Sequence, residues 1–210
     1  MPDLRRPALD PAEGRWLTPD EYEDDFARHH DRVQGQDSWK LERLQNFHED
    51  DDPSYDALRR GEWAKALRLL DEELPDLRAW AAEEREHDSV FHRVRVVEEP
   101  LTPYLQWELH ALRNQAKSGL PVRVVQAEAL RRFESPAQGL LPELVVVGGL
   151  VLYRVSYRAD GVHDGAVQYT DPTTVQQWQD FITALYATGE DVVAYVDRHV
   201  SRLPAPHATS

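Results

Sequence analysis

The sequence predicts an α/β fold, with α+β as the alternative, in which N-terminal helices pack on a mixed β-sheet and C-terminal helices close the structure. Three observations carry this. Apolar residues recur at helical spacing through the first 89 residues; short apolar runs bounded by Gly and Pro take over from residue 90; and helix caps then alternate with those runs. With 210 residues, 41% hydrophobic and 30% charged, the chain has the length and composition to bury a core without covalent staples.

Residues 1–17 hold Pro2, Pro7 and Pro11 and no periodicity, so a flexible lead-in is expected before Thr18-Pro19-Asp20-Glu21. That tetrapeptide supplies an N-cap, a proline at the first helical position and acids suited to the positive end of the dipole, which predicts a helix over 19–32. Trp39 to Arg43 alternates apolar and polar, a strand signal, with a short helix as the other reading. Two helices follow, over 54–73 with a break near Gly61 and over 75–87, and Leu58, Trp63, Leu67, Leu70, Leu74, Leu77 and Trp80 mark their apolar faces.

Phe91, Val94, Val96 and Val97 mark a strand, Thr102-Pro103 caps a helix that Gly119 closes, and Val122 to Val125 is the next strand. A short helix over 127–133 leads to runs at 144–147 and 150–157, whose Gly148-Gly149 junction predicts a hairpin. Asp160-Gly161 turns into a strand over 166–169, Asp171-Pro172 opens a long helix, and a last helix over 190–202 precedes a tail at 204–210. The segment 18–89 is therefore an acidic, mainly helical part, and 90–203 a sheet-containing core, the two forming one unit.

Charge and composition narrow the functional classes. The formal charge is -14, so phosphate backbones and anionic membranes are repelled, and neither direct nucleic-acid nor membrane binding is expected. No cysteine is present, which removes disulfides, thiolate metal sites and Cys nucleophiles. No apolar run approaches the ~20 residues of a membrane span and no secretory leader opens the chain, so a cytoplasmic location is expected. Residues 1–89 hold 25 acids and 13 bases, so the acidity belongs to the N-terminal part.

The order strand, helix, strand, short helix, three strands, helix over 90–187 resembles a phospholipase D-like half domain. That family's His-Lys-Asp motif would fall on Leu141, Glu143 and Gly148, so the resemblance implies a non-catalytic version. A second resemblance covers most of the chain. Trp39-Lys40-Leu41-Glu42-Arg43, the stretch from Arg93-Val94-Arg95 through Pro103-Tyr104-Leu105-Gln106-Trp107-Glu108, and Tyr169-Thr170-Asp171-Pro172 are similar to the actinobacterial family called domain of unknown function 6879. This resemblance implies a small cytoplasmic protein, often encoded near helix-turn-helix regulators, and no established activity.

Among candidate sites, the start of the helix at 103 is the densest. Tyr104 and Glu108 share a face beside Trp107, free N–H groups lie at the helix start, and Arg93 and Arg95 alternate onto one face of the preceding strand. Glu99, Tyr169 and Asp171 complete the ligand- or partner-binding candidates, and Asp50, Asp51 and Asp52 the acidic-surface candidates. The competing reading makes Tyr104 and Trp107 packing residues and Glu108 the partner of an arginine. His29, His30, His48, His87, His92 and His110 lack the spacing of a metal or base motif, no nucleophile elbow or phosphate loop is present, and neither metal nor cofactor is expected.

The leading expectation is a non-enzymatic regulatory or adaptor protein that binds another protein, a helix-turn-helix regulator among the candidates. A small-ligand sensor with a pocket at Arg95, Glu99, Tyr104, Trp107 and Glu108 is the alternative, and an enzyme with a carboxylate site at Glu99 and Glu108 the third.

Overall fold

In the computed structural model, which describes residues 4–206, a 3-10 turn at Pro11–Glu13 leads into a short strand, β1 (Arg15–Leu17). Residues 1–3 of the expected lead-in and 207–210 of the expected tail lie outside the described residues. Helix α1 (Pro19–His30) starts with a reciprocal capping box, in which Glu21 N donates to the Thr18 hydroxyl and Thr18 N donates to Glu21 Oε2 at 2.9 Å. Strand β2 (Ser38–Glu42) settles the alternation at Trp39 as a strand. Helices α2 (Pro53–Arg59), α3 (Trp63–Glu72) and α4 (Leu74–Glu86) follow, with Gly61 in the break that the sequence marks.

Strand β3 (Phe91–Val97) runs to α5 (Pro103–Ser118), capped by the Thr102 hydroxyl accepting from Leu105 N at 3.0 Å. Strand β4 (Val122–Gln126), a 3-10 helix (Ala127–Phe133), β5 (Glu143–Val147), β6 (Val151–Tyr157) and β7 (His163–Tyr169) come next. Helix α6 (Pro172–Thr188), β8 (Glu190–Asp191) and α7 (Val192–His199) end the order. The last helix is thus shorter than its pattern, because its first two residues pair as β8 with Arg123 and Val124.

All strands join one open mixed sheet in the order β1-β7-β6-β5-β2-β3-β4-β8. Strands β2, β3 and β4 are parallel; the other pairings are antiparallel. Because side chains alternate along a strand, β3 sends Val94 and Val96 to one face and Arg93, Arg95 and Val97 to the other. Trp178, Phe181, Ile182 and Leu185 of α6 cover the first face, together with Leu130 and Phe133 of the 3-10 helix. The second face takes α5 and α7 over Val97, Val122 and Val124, and α1 and α4 over Phe91, Val145 and Val147. Helices α2 and α3 pack outside α5 through Leu58, Ala66, Leu70, Tyr104 and Trp107.

The expectation of a loose lead-in is corrected by residues 4–17. Leu4 and Leu9 pack on the α6-side core, the Trp178 indole N–H donates to Ala8 O at 3.2 Å, and Arg6 donates to the carbonyls of Phe133, Gly139 and Leu140. Proline content concealed this because the partners lie more than a hundred residues away in sequence. The hairpin between β5 and β6 forms where Gly148-Gly149 predicts it. Gly148 has φ of 50° and would place a Cβ 2.6 Å from Val33 Cγ2, so both backbone conformation and space demand glycine there.

Candidate functional site

The second face of the sheet is apolar at its flanks and charged at its centre. Lys40 and Glu42 alternate on β2, Arg93 and Arg95 on the neighbouring β3, and Glu143 stands at the start of β5 on the other side of β2. Arg93 Nη1 donates to both Glu42 oxygens at 2.8 and 2.9 Å, and Lys40 Nζ lies 2.7 Å from Glu42 Oε1. Arg95, fully buried, donates from Nε to Glu108 Oε2 of α5 at 2.7 Å and from Nη1 to Val96 O at 3.1 Å, with its guanidinium 5.5 Å from the Phe47 ring centre. Glu143 Oε1 accepts from Arg43 N and Leu44 N at 2.7 and 2.6 Å, extending the pairing of the strands beyond their ladder.

Environment separates these carboxyls. Burial opposes the charge on Glu42, but Arg93, Lys40 and Arg95 together outweigh it and hold the group well below the usual carboxylate range. Burial pushes Glu108 up to about 7, with Arg95 offsetting part of that effect and Glu42 adding to it. Glu143 is pushed up to about 7 by burial and by the charge on Glu42. For Arg95 burial opposes the charge, yet Glu108 and Glu42 hold the guanidinium above its ordinary value.

The structure therefore brings Arg93, Arg95 and Glu108 into one network, while Tyr104 and Trp107 form its outer wall. The Tyr104 hydroxyl donates to Glu49 Oε1 at 2.6 Å, and the Trp107 indole donates to Ser54 Oγ at 2.8 Å. Both rings are buried against α2 and α3, so the space of the expected pocket is filled by the protein's own side chains. Trp63 and Trp80 are half-buried and Trp107 is buried, so the three form no shared exposed patch.

Glu99 lies elsewhere. The chain leaves β3 toward α5 on one face and leaves β4 toward the 3-10 helix on the other, and this divergence opens a cleft of 590 Å³ at the carboxyl ends of the two strands. Glu98, Glu99, Gln126 and Arg131 line it, with Arg43 and Glu134 at its wall. Its arginines are engaged: Arg43 binds Glu134 through Nε and Nη2 at 2.7 and 3.0 Å and pairs with Glu98 at 2.7 Å, and Arg131 lies 2.5 Å from Glu128. Glu99 and Glu108 do not share a cavity, so the two carboxylates do not form a common site.

The remaining candidates hold local structure. Asp171 caps α6, accepting from Thr174 N at 2.8 Å. Tyr169 is buried in the α6-side core with an unpartnered hydroxyl. Asp52 caps α2 by accepting from Ser54 N and Tyr55 N, Asp50 pairs with His48 at 3.1 Å, and Asp51 sits at φ of 59° in the turn before the cap. His92 stacks on Trp39 with ring centres 4.2 Å apart and bonds Asp37 at 3.0 Å. His87 bonds Val33 O at 3.0 Å, and His110 packs against Trp63.

Sequence reasoning missed Glu42 and Arg43 as members of the network and met Glu143 only at the lysine position of the phospholipase D-like motif. A signal was present: Lys40 and Glu42 repeat on β2 the two-residue spacing of Arg93 and Arg95, and opposite charges at such spacing on adjacent strands form cross-strand pairs. Glu108 and Glu143, two buried acids near neutrality, are able to exchange protons.

Among the described residues no group of three or more His, Asp or Glu side chains is arranged to hold a metal ion, and no helix is long and apolar enough to cross a membrane. No curated protein matches the chain. A family model does match, over residues 24–197, from the middle of α1 to α7, thereby taking in the whole charged network and the cleft. The chain belongs to the family described as a domain of unknown function, DUF6879.

Proposed function

We propose that the protein is a non-enzymatic regulatory or adaptor protein whose acidic helical layer engages a basic surface of another protein. One observation carries this reading. Where the start of α2 meets the α3–α4 junction, Asp52, Glu73 and Asp76 crowd together. Desolvation by its packed neighbours, then the charges of Asp52 and Asp76, push the Glu73 carboxyl above its ordinary value, although the residue keeps an exposed surface. Like charges held this close are relieved by a cation from outside, and Glu72, Glu73 and Asp76 are exposed to receive one.

The family resemblance favours a helix-turn-helix regulator as the partner, and the positions corresponding to the phospholipase D-like catalytic motif support a role without catalysis. Leu141 is buried, Glu143 is bonded to the backbone of Arg43 and Leu44, and Gly148 makes a turn.

The test is co-purification of the tagged protein with the helix-turn-helix regulator encoded nearest to it, at low and high salt. Capture at low salt, release at high salt and loss in the double substitution Glu73→Lys, Asp76→Lys, with unchanged melting temperature, is the expected result. Undiminished capture by the charge-reversed protein removes the acidic-layer reading.

A further inference from the structure

A cavity of 510 Å³ opens at the edge of the sheet where β2 ends, β5 begins and β6 ends, beneath the N-terminal segment. Leu9, Leu44 and Leu141 give it apolar walls, and Arg6 and Arg154 bring charge to it. Three observations distinguish it from the acidic cleft beside it.

First, Glu143 is only 6% exposed, yet just one of its oxygens is satisfied. Oε1 accepts two backbone N–H bonds, Oε2 has no accessible surface, and the side chain lies on the sheet face opposite to Arg154, so the carboxyl presents no negative charge to the cavity. Second, Arg154 is half-buried on β6 between the apolar cross-strand neighbours Leu144 and Val167 and has no ion pair or side-chain hydrogen bond among the described residues. Third, Arg6 is anchored by three backbone carbonyls and stands close enough to Arg154 to feel its charge. Burial depresses the Arg6 guanidinium below its ordinary value, Glu134 offsets part of that, and Arg154 adds to it. Two guanidinium groups at one cavity, one of them without a counter-charge, favour an anion between them.

We infer that this cavity binds a small organic anion, its carboxylate or phosphate held by Arg154 and Arg6. The leucines take the carbon skeleton, and the N-terminal segment forms one wall of the site. Inorganic anions satisfy the arginines but leave the leucine walls uncovered, so they bind more weakly. The site requires no protein partner, so its test is independent of the acidic-layer reading.

The experiment is isothermal titration and thermal melting of the full chain with L-malate, L-glutamate and glucose 6-phosphate as probes, and sulfate as the control. Saturable binding of a carboxylate probe or of the phosphate ester, with a raised melting temperature, is the expected result and identifies which anion source the site prefers. Arg154→Gln, which breaks no bond within the protein, should lower that affinity about tenfold or more while leaving the unliganded melting temperature in place. The inference is overturned if none of the three probes binds, if sulfate matches them, or if Arg154→Gln binds as well as the unaltered protein.

Discussion

Arg95 on β3 and Glu108 on α5 meet at 2.7 Å with the arginine side chain wholly removed from water, so the junction of helix and sheet holds a buried ion pair beside its apolar contacts. Desolvation of two charges opposes such a pair, and its geometry must be good for the attraction to offset that cost. Removing one member leaves the other buried without its partner.

Arg95→Met is accordingly expected to destabilise the protein by about 3–5 kcal/mol, read as a lower urea midpoint. Adding Glu108→Leu should restore part of the loss, because the stranded carboxyl is then gone. A single variant as stable as the parent would show that the pair has no structural weight.

Glu143 supplies a pH signature. Its folded value, about 7, lies above its ordinary 4.5, so the native protein holds a proton that the unfolded chain has released. The contribution of this group therefore makes stability fall as pH rises from about 4.5 to about 7, and beyond that the effect is complete. Glu143→Gln mimics the protonated form, so its stability relative to the parent should rise across that window by on the order of 1.4 kcal/mol per pH unit. Parallel curves for the two proteins in a denaturation series from pH 4.5 to 8 would contradict this assignment.

His30 behaves in the opposite sense to an ordinary buried histidine. Its Nε2 lies 2.6 Å from Glu84 Oε1, tying α1 to α4; that hydrogen bond raises its pKa above 6.5, against the opposing effect of burial. The pair's stabilisation is fully present between about 4.5 and 6.5; it is lost as pH rises through the raised value of His30 and as pH falls through the lowered value of Glu84. Nuclear magnetic resonance titration of the His30 ring should give a midpoint above that of a free histidine, and Glu84→Gln should bring it down. A midpoint unaffected by Glu84→Gln would exclude the pair as the cause.

The acidic turn before α2 separates into a capping residue and its neighbours. Asp52→Ala removes the acceptor for Ser54 N and Tyr55 N and is expected to cost about 1 kcal/mol. Asp50→Ala loses only an exposed contact with His48 and should stay within about 0.5 kcal/mol of the parent. Thermal melting of the two variants checks the ordering.

What could be read in the sequence was what the chain decides locally. Thr18-Pro19, Thr102-Pro103 and Asp171-Pro172 place the starts of α1, α5 and α6 because the cap and the proline act within one turn. The alternation of Arg93 and Arg95 puts both on one face of β3 for the same reason. That this face is buried depends on Glu42 and Glu108, which are 51 and 13 residues away from their partners, and on helices that no short window describes. Strands β1 and β8 escaped for the related reason that two or three residues have no period; pairing alone makes them strands.

The position of β1 has a consequence for the sheet as a whole. Arg15, Trp16 and Leu17 occupy the open margin of β7, outside the span that the family model matches, and Gly165 lets Leu17 O approach so closely that a Cβ there would lie 2.3 Å from it. A strand with a free margin is a template on which another molecule adds its own backbone. The short N-terminal strand thus covers Ala166 to Gln168 and makes the new edge only three residues long, which leaves another chain little ladder to extend.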